Sequence, residues 1–261
     1  MQNVRNALRA LEEVAERQPI GVADLARAMG LPKSSVQRTL VTLHEAGWIR
    51  PAEGRPTRWQ VTAKALHVGR HATGELRLRD AAVPVMEELR ARTDETVHLA
   101  VPEGERVVLV ERLETTQPVR IILPLGQILP VHASANGKAV LAARSDAEVA
   151  AYLADGLARF TEATATDPAA LRAEVDEIRV RGWATNRGEW RADVSAVAAP
   201  VVGESGRPVA SISVNVPTSR MTDPLRDRFG ELVAEVAERL SERLGGVPGR
   251  QAWGGARRPN P

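Results

Sequence analysis

Residues 31–49 read LPKSSVQRTLVTLHEAGWI. Val36, Leu40 and Leu43 fall at i, i+4 and i+7, which predicts a helix from Lys33 to Ala46 with one buried stripe. Pro32 suits the entry to such a helix and Gly47 its exit. The remaining face presents Lys33, Ser34, Ser35, Gln37, Arg38 and Thr42, with no acidic residue before Glu45. These side chains donate to phosphate oxygens and base edges, whereas a merely solvated face usually mixes Glu with Lys. The reading is a helix that enters a DNA groove.

The flanking segments complete a winged helix-turn-helix. Upstream, Val4, Leu8, Leu11, Val14 and Ala15 recur at helical spacing and predict an amphipathic helix from Asn3 to Arg17. Pro19-Ile20-Gly21 interrupts it. A second helix, Val22 to Met29, buries Leu25, Ala26 and Met29 and ends at Gly30 as a left-handed cap. Helix, short turn and helix together place the second member in the major groove. Downstream, Trp48-Ile49-Arg50 and Arg58-Trp59-Gln60-Val61 read as strands around a Gly- and Pro-containing turn, with Arg55 and Arg58 at its tip. A basic hairpin beside a recognition helix is a wing able to touch phosphate or a minor groove. Trp48 and Trp59 are assigned to packing the wing, because an intact duplex offers no unstacked base.

Charge is distributed in the same sense. The first 80 residues hold 13 Lys and Arg against 8 Asp and Glu, and the remaining 181 hold 22 against 25. A basic head on a mildly acidic body suits a double-stranded DNA partner. The 261 residues suffice for two cores, and 43% hydrophobic with 26% charged residues is ordinary for a globular protein. No apolar run approaches a membrane span and no signal-peptide core opens the chain, so a cytoplasmic protein without a membrane partner is the simplest expectation. Without cysteine there is no disulfide, thiolate metal site or Cys nucleophile.

The domain plan is a DNA-binding domain over 1–61, a linker helix over 62–80, a second domain over 81–245 and a disordered tail over 246–261 rich in Gly, Pro and Arg. Helical composition runs over Thr62 to Arg79 and continues from Asp80 to Arg92, with Pro84 marking a start or a kink. His67 and His71 have a metal-ligand spacing but no third ligand nearby, so no metal is expected. From Thr96 the period changes. Strands are predicted at 97–101, 106–111, 120–123, 183–186, 194–202 and 208–216, and helices at 136–143, 146–154, 168–181 and 224–244. This mixture predicts an α+β body around an antiparallel sheet.

One motif in the body almost matches a nucleotide loop. HASANGKAVL, residues 132–141, contains Gly137-Lys138. A phosphate loop needs glycine where His132 stands and Ser or Thr where Ala139 stands, so no nucleotide cofactor is expected.

Four stretches together resemble the IclR family of bacterial transcription regulators: residues 31–49, HASANGKAVLA at 132–142, RGWATNRGEWRADVSAVAAPV at 181–201 and SISVNVPTSR at 211–220. The resemblance covers about residues 3–245. The family signature from Gly182 through Glu189 to Ala196-Val197-Ala198 fits. Asn186 stands where Asp or Ser is usual, and Val202 and Gly203 replace an aromatic and an acidic or amide residue.

The resemblance implies a winged-helix head, a linker helix and a GAF-like effector domain. It also implies a homodimer or dimer of dimers on a palindromic operator and a small organic-acid effector. Carried over by position, the effector site falls on Ala135, Asn136, Asn186, Ala196, Ser213 and Asn215, with Ile121, Ile122 and Leu129 as an apolar wall. Ser134 would cap a helix starting near Ala135, whose free amides suit a carboxylate. On that reading Gly137 permits close helix–sheet packing, and Lys138 is a surface or salt-bridging residue. An enzyme of hydrolase type is the alternative. It would require a nucleophile–base pair among the converging positions, which are Asn, Ser and Ala.

Overall fold

The computed structural model describes residues 2–54, 56–70 and 75–246, and the chain divides into one compact unit up to Leu76 and another from Arg77. The wing-tip Arg55, His71 and the tail from residue 247 lie outside the described residues.

In the first unit, α1 (Gln2–Arg17), α2 (Val22–Met29) and α3 (Lys33–Glu45) close around Leu25, Met29, Val36, Leu40, Leu43 and Ile49. Gly30 adopts φ 64°, and the turn after α2 is locked by Leu31 N–H donating to the Ala26 carbonyl at 3.1 Å. Glycine is required there because a Cβ disfavours the left-handed region. The wing strands β2 (Ile49–Pro51) and β3 (Arg58–Val61) pair antiparallel. Ile20-Gly21 is not just an interruption. It forms a strand, β1 (Ile20–Gly21), opposite Trp59 and Arg58. Trp59 is buried in the core and Trp48 packs against it, as expected of wing anchors.

The expected inner stripe of α1 is only partly inward. Ala10 and Val14 are buried, while Val4 and Leu8 are 64% and 57% exposed. Within the expected linker helix, residues 71–74 lie outside the described residues. Helix is described on both sides of them, as α4 (Ala63–Arg70) and α5 (Glu75–Thr93), the latter with Pro84 in its interior.

The second unit is a six-stranded sheet of order β6-β5-β4-β9-β8-β7 with every pairing antiparallel, comprising β4 (Thr96–Glu103), β5 (Arg106–Leu113), β6 (Ile128–Leu129), β7 (Ala184–Arg187), β8 (Val194–Val202) and β9 (Pro208–Pro217). Alternation along the strands gives it two different faces. One face, with Val97, Leu99, Val197, Val201, Ile212 and Val214, is covered by α5 and by α9 (Asp223–Arg243) through Leu89, Phe229, Val233 and Leu240. The other face packs against α6 (Ala135–Ala142), which is backed by α8 (Pro168–Arg181) with α7 (Asp146–Ala154) beside it. The fold is α+β, as the change of period predicts.

Residues 120–123 are not a strand. The place beside β5 is taken by Ile128-Leu129, and 120–123 have no sheet partner. Its apolar residues serve burial instead, since Ile121 and Leu123 are both buried.

Candidate functional site

On α3 the buried stripe is Val36, Leu40 and Leu43, so geometry leaves Lys33, Ser34, Gln37, Arg38 and Thr42 exposed and Ser35 half-buried. The Thr42 hydroxyl donates back to the Arg38 carbonyl at 3.1 Å, which leaves its lone pairs outward. Arg58 is exposed and donates to the Pro19 carbonyl at 3.2 Å. A groove of about 540 Å³ runs between the start of α2, the first turns of α3 and the wing, with Lys33, Ser34, Gln37 and Arg58 on its walls. Its one acid, Asp24, is engaged by Arg27. The groove therefore offers cationic and hydroxyl donors, together with the amide end of α2, to an anionic backbone.

The second unit places the remaining predicted residues on the sheet face under α6. Ser134 caps that helix, its hydroxyl accepting from Gly137 N–H at 3.0 Å while its carbonyl accepts from Lys138 N–H at 2.9 Å. The amides of Ala135 and Asn136 remain as first-turn donors without an intrahelical acceptor. Strand register sets Asn186, Ala196, Asn215 and Thr96 in one row across four strands, and Ala184, Ala198, Ser213, His98 and Arg112 in the next. Ile121, Leu129, Ala135, Val194 and Ala196 share one apolar cluster on this side. Ile122, expected in the apolar wall, is instead 48% exposed, between the buried Ile121 and Leu123.

The polar side chains are less free than their residue types suggest. Asn136 Nδ2 donates to Ser211 Oγ at 3.0 Å, and Asn215 Nδ2 to Ser213 Oγ at 2.9 Å. Asn186 Oδ1 accepts from Glu189 N–H at 2.8 Å and so braces the turn after β7. Asn186 and Asn215 stand two strands apart with Ala196 between them, so they flank this face rather than meet on it.

Lys138 is not on the surface. It is fully buried, and its ammonium lies 2.7 Å from carboxylate oxygens of both Glu174 and Glu189. Burial raises the Glu189 carboxyl pKa above its ordinary range, and Lys138 acts in the opposite direction. Gly137 packs closely, though against backbone outside the sheet: a Cβ there would lie 2.4 Å from Val131 Cα.

Sequence reasoning passed over His98, Ser211 and Arg112. The available signal was the alternation in β4, where Thr96, His98 and Ala100 share one face and Val97, Leu99 and Val101 the other. His98 is wholly buried and neither ring nitrogen has a hydrogen-bond partner. Burial, and secondarily Arg112, push its pKa down to about 3, so it is a neutral imidazole at ordinary pH. Although His98 and Ser213 are register partners, the imidazole makes no hydrogen bond to the hydroxyl. A serine without an engaged base is not an activated nucleophile. Among the described residues no group of three or more metal-ligating side chains gathers, and no helix is long and apolar enough to cross a membrane.

Comparison with known proteins agrees with this layout. Residues 4–53 match the IclR helix-turn-helix domain and residues 70–242 the bacterial transcriptional regulator IclR C-terminal domain. The chain is 31% identical to the transcriptional repressor IclR of Escherichia coli K12, over 95% of this chain and 91% of the relative. The IclR crystal structure from Thermotoga maritima superposes with a TM-score of 0.80 at 26% identity, covering 94% of this chain and 99% of that one. An IclR homologue from Microbacterium hydrocarbonoxydans, solved in complex with 4-hydroxybenzoate, gives 0.78 at 26% identity, covering 93% and 98%.

Proposed function

Because the chain belongs to the IclR family of bacterial transcriptional regulators, we propose that it is a repressor that binds a palindromic operator as a dimer or dimer of dimers and responds to a small aromatic carboxylate. The observation that carries the effector reading is one buried face combining neutral polar groups with aliphatic walls beside the free amides of α6. Ala135 and Asn136 receive the carboxylate through backbone N–H groups, and Ser213 and Asn215 line the face beside it. Ile121, Leu129, Val194 and Ala196 supply apolar surface for a ring. Asn186 holds the edge of the face through its bond to the Glu189 amide.

A hydroxybenzoate-like acid ranks first, and the structural neighbour crystallised with 4-hydroxybenzoate supports that rank. A short keto acid is second, because Arg112 brings a cation into the row of Ser213. It stays second because Glu114, at 2.8 Å, and the Leu123 carbonyl already engage that guanidinium. Lys33, Ser34, Ser35, Gln37, Arg38 and Thr42, with Arg55 and Arg58 of the wing, are assigned to DNA.

Titration calorimetry with aromatic and aliphatic acids, on the wild type and on Ser213→Ala and Asn215→Ala, tests the effector site. Both substitutions are expected to weaken binding of the preferred acid. Binding untouched by either moves the site elsewhere, and binding of dicarboxylates alone refutes the polarity argument. Operator titrations with and without the acid should show reciprocal coupling of about 1–3 kcal/mol.

A further inference from the structure

We propose that His98 reads the far end of the effector, its neutral imidazole pairing with a hydroxyl on the ring of an acid whose carboxylate sits at the α6 amides; this rests on the effector site described above.

His98 lies at the centre of the sheet, on β4, with no exposed surface and no partner at Nδ1 or Nε2. Buried polar atoms in folded proteins are nearly always paired, because leaving them unpaired forfeits their hydration without return. The neighbours on either side of the ring are already engaged. Ser213, opposite on β9, takes the Asn215 amide, and Arg112, opposite on β5, is held by Glu114 and the Leu123 carbonyl. The two ring nitrogens of a neutral imidazole, one donor and one acceptor, are therefore available to a ligand hydroxyl.

Position fits this role. Asn136 is anchored over Ser211, and His98 stands one strand across and two residues along from Ser211 in the register. Strand spacing and rise set those two Cα atoms roughly 8 Å apart, comparable to a para-hydroxylated benzoate with its hydrogen bond. The side chains at the other two corners of that diagonal are small, Ala100 opposite Ser211 and Ser213 opposite His98. A site that bonds a hydroxyl rejects the analogue lacking it, since the buried partner is then left unpaired. His98 is thus the residue that separates hydroxylated from plain aromatic acids.

The test is calorimetry of 4-hydroxybenzoate and benzoate on wild type, His98→Leu and His98→Gln, with thermal unfolding of each ligand-free protein. The wild type is expected to favour 4-hydroxybenzoate by about tenfold or more. His98→Leu should abolish that preference while keeping affinity for benzoate, and His98→Gln should restore part of it. Ligand-free His98→Leu should melt no lower than the wild type, because it removes an unpaired buried polar group. A preference retained in His98→Leu overturns the assignment and leaves the effector site standing. A wild type that binds neither acid overturns the aromatic-carboxylate reading and this inference with it. A His98→Leu protein that fails to fold, with His98→Gln folded and its preference unchanged, also overturns it.

Discussion

Lys33 and Arg38 stand exposed on the first turns of α3, one beside the groove and the other a turn further along. If Arg38 reads a guanine edge, Arg38→Ala should cost about 1–3 kcal/mol of operator affinity and relax preference at one base pair. Lys33→Ala should weaken all sequences alike and flatten the salt dependence, as loss of a phosphate contact does. Fluorescence anisotropy at several salt concentrations separates these outcomes, and unchanged binding by both variants removes α3 from the groove. Lys138 presents the opposite case, a cation buried between two carboxylates. Lys138→Met should destabilise the folded chain by on the order of 3 kcal/mol near neutral pH, because Glu174 and Glu189 lose their partner. The sign of its pH dependence follows from Glu189, whose folded pKa is already raised by burial and held back by Lys138. Without the lysine it rises further, so the variant's deficit appears as pH climbs above the ordinary carboxyl value of 4.5 and shrinks below it. Urea denaturation at about pH 5 and about pH 7 should show the larger deficit at the higher pH, and equal deficits would refute the coupling.

At the scale of elements, α6 is the piece on which the proposed effector site depends. It starts where Ser134 caps it, and its first turn is pressed against the Pro130–Val131 backbone at Gly137. Gly137→Ala should force that turn off its support, costing about 1–3 kcal/mol of stability and weakening acid binding together. A variant with unchanged melting and binding would show that α6 tolerates displacement. The elements with strong local signals were legible in the chain. Asp146–Ala154 and Pro168–Arg181 begin at the caps Ser145 and Asp167, and Val194–Val202 is a Val- and Ala-rich run interrupted by a polar side chain only at Ser195. Segment 120–123 was misread because its apolar run Ile121-Ile122-Leu123 matches the composition of a short strand. Whether such a segment is paired depends on which neighbour occupies the sheet edge, and here β6 does.

For the whole molecule, α1 leaves Val4 and Leu8 outward on one helix, an apolar pair that suits contact with a second copy. A single head also spans too few base pairs to find one operator among genomic sites, so a two-fold assembly is expected. Sedimentation should show a dimer or tetramer at micromolar concentration, and Val4→Glu with Leu8→Glu should shift it toward smaller species. A wild-type monomer would contradict the proposal. Local chemistry in the chain determined the helix-turn-helix, the exposed polar face of α3, the cap at Ser134 and the alternation that makes a two-faced sheet. Each of these depends on residues within a turn or two of one another. Only the tertiary structure decided that Lys138 is buried, that Asn136 and Asn215 donate to serines, and that His98 stands unpaired beside Ser213. Those outcomes depend on strand register and helix placement, which bring together residues as distant as 98 and 213. Spacing along a sequence carries no record of which strand lies beside which.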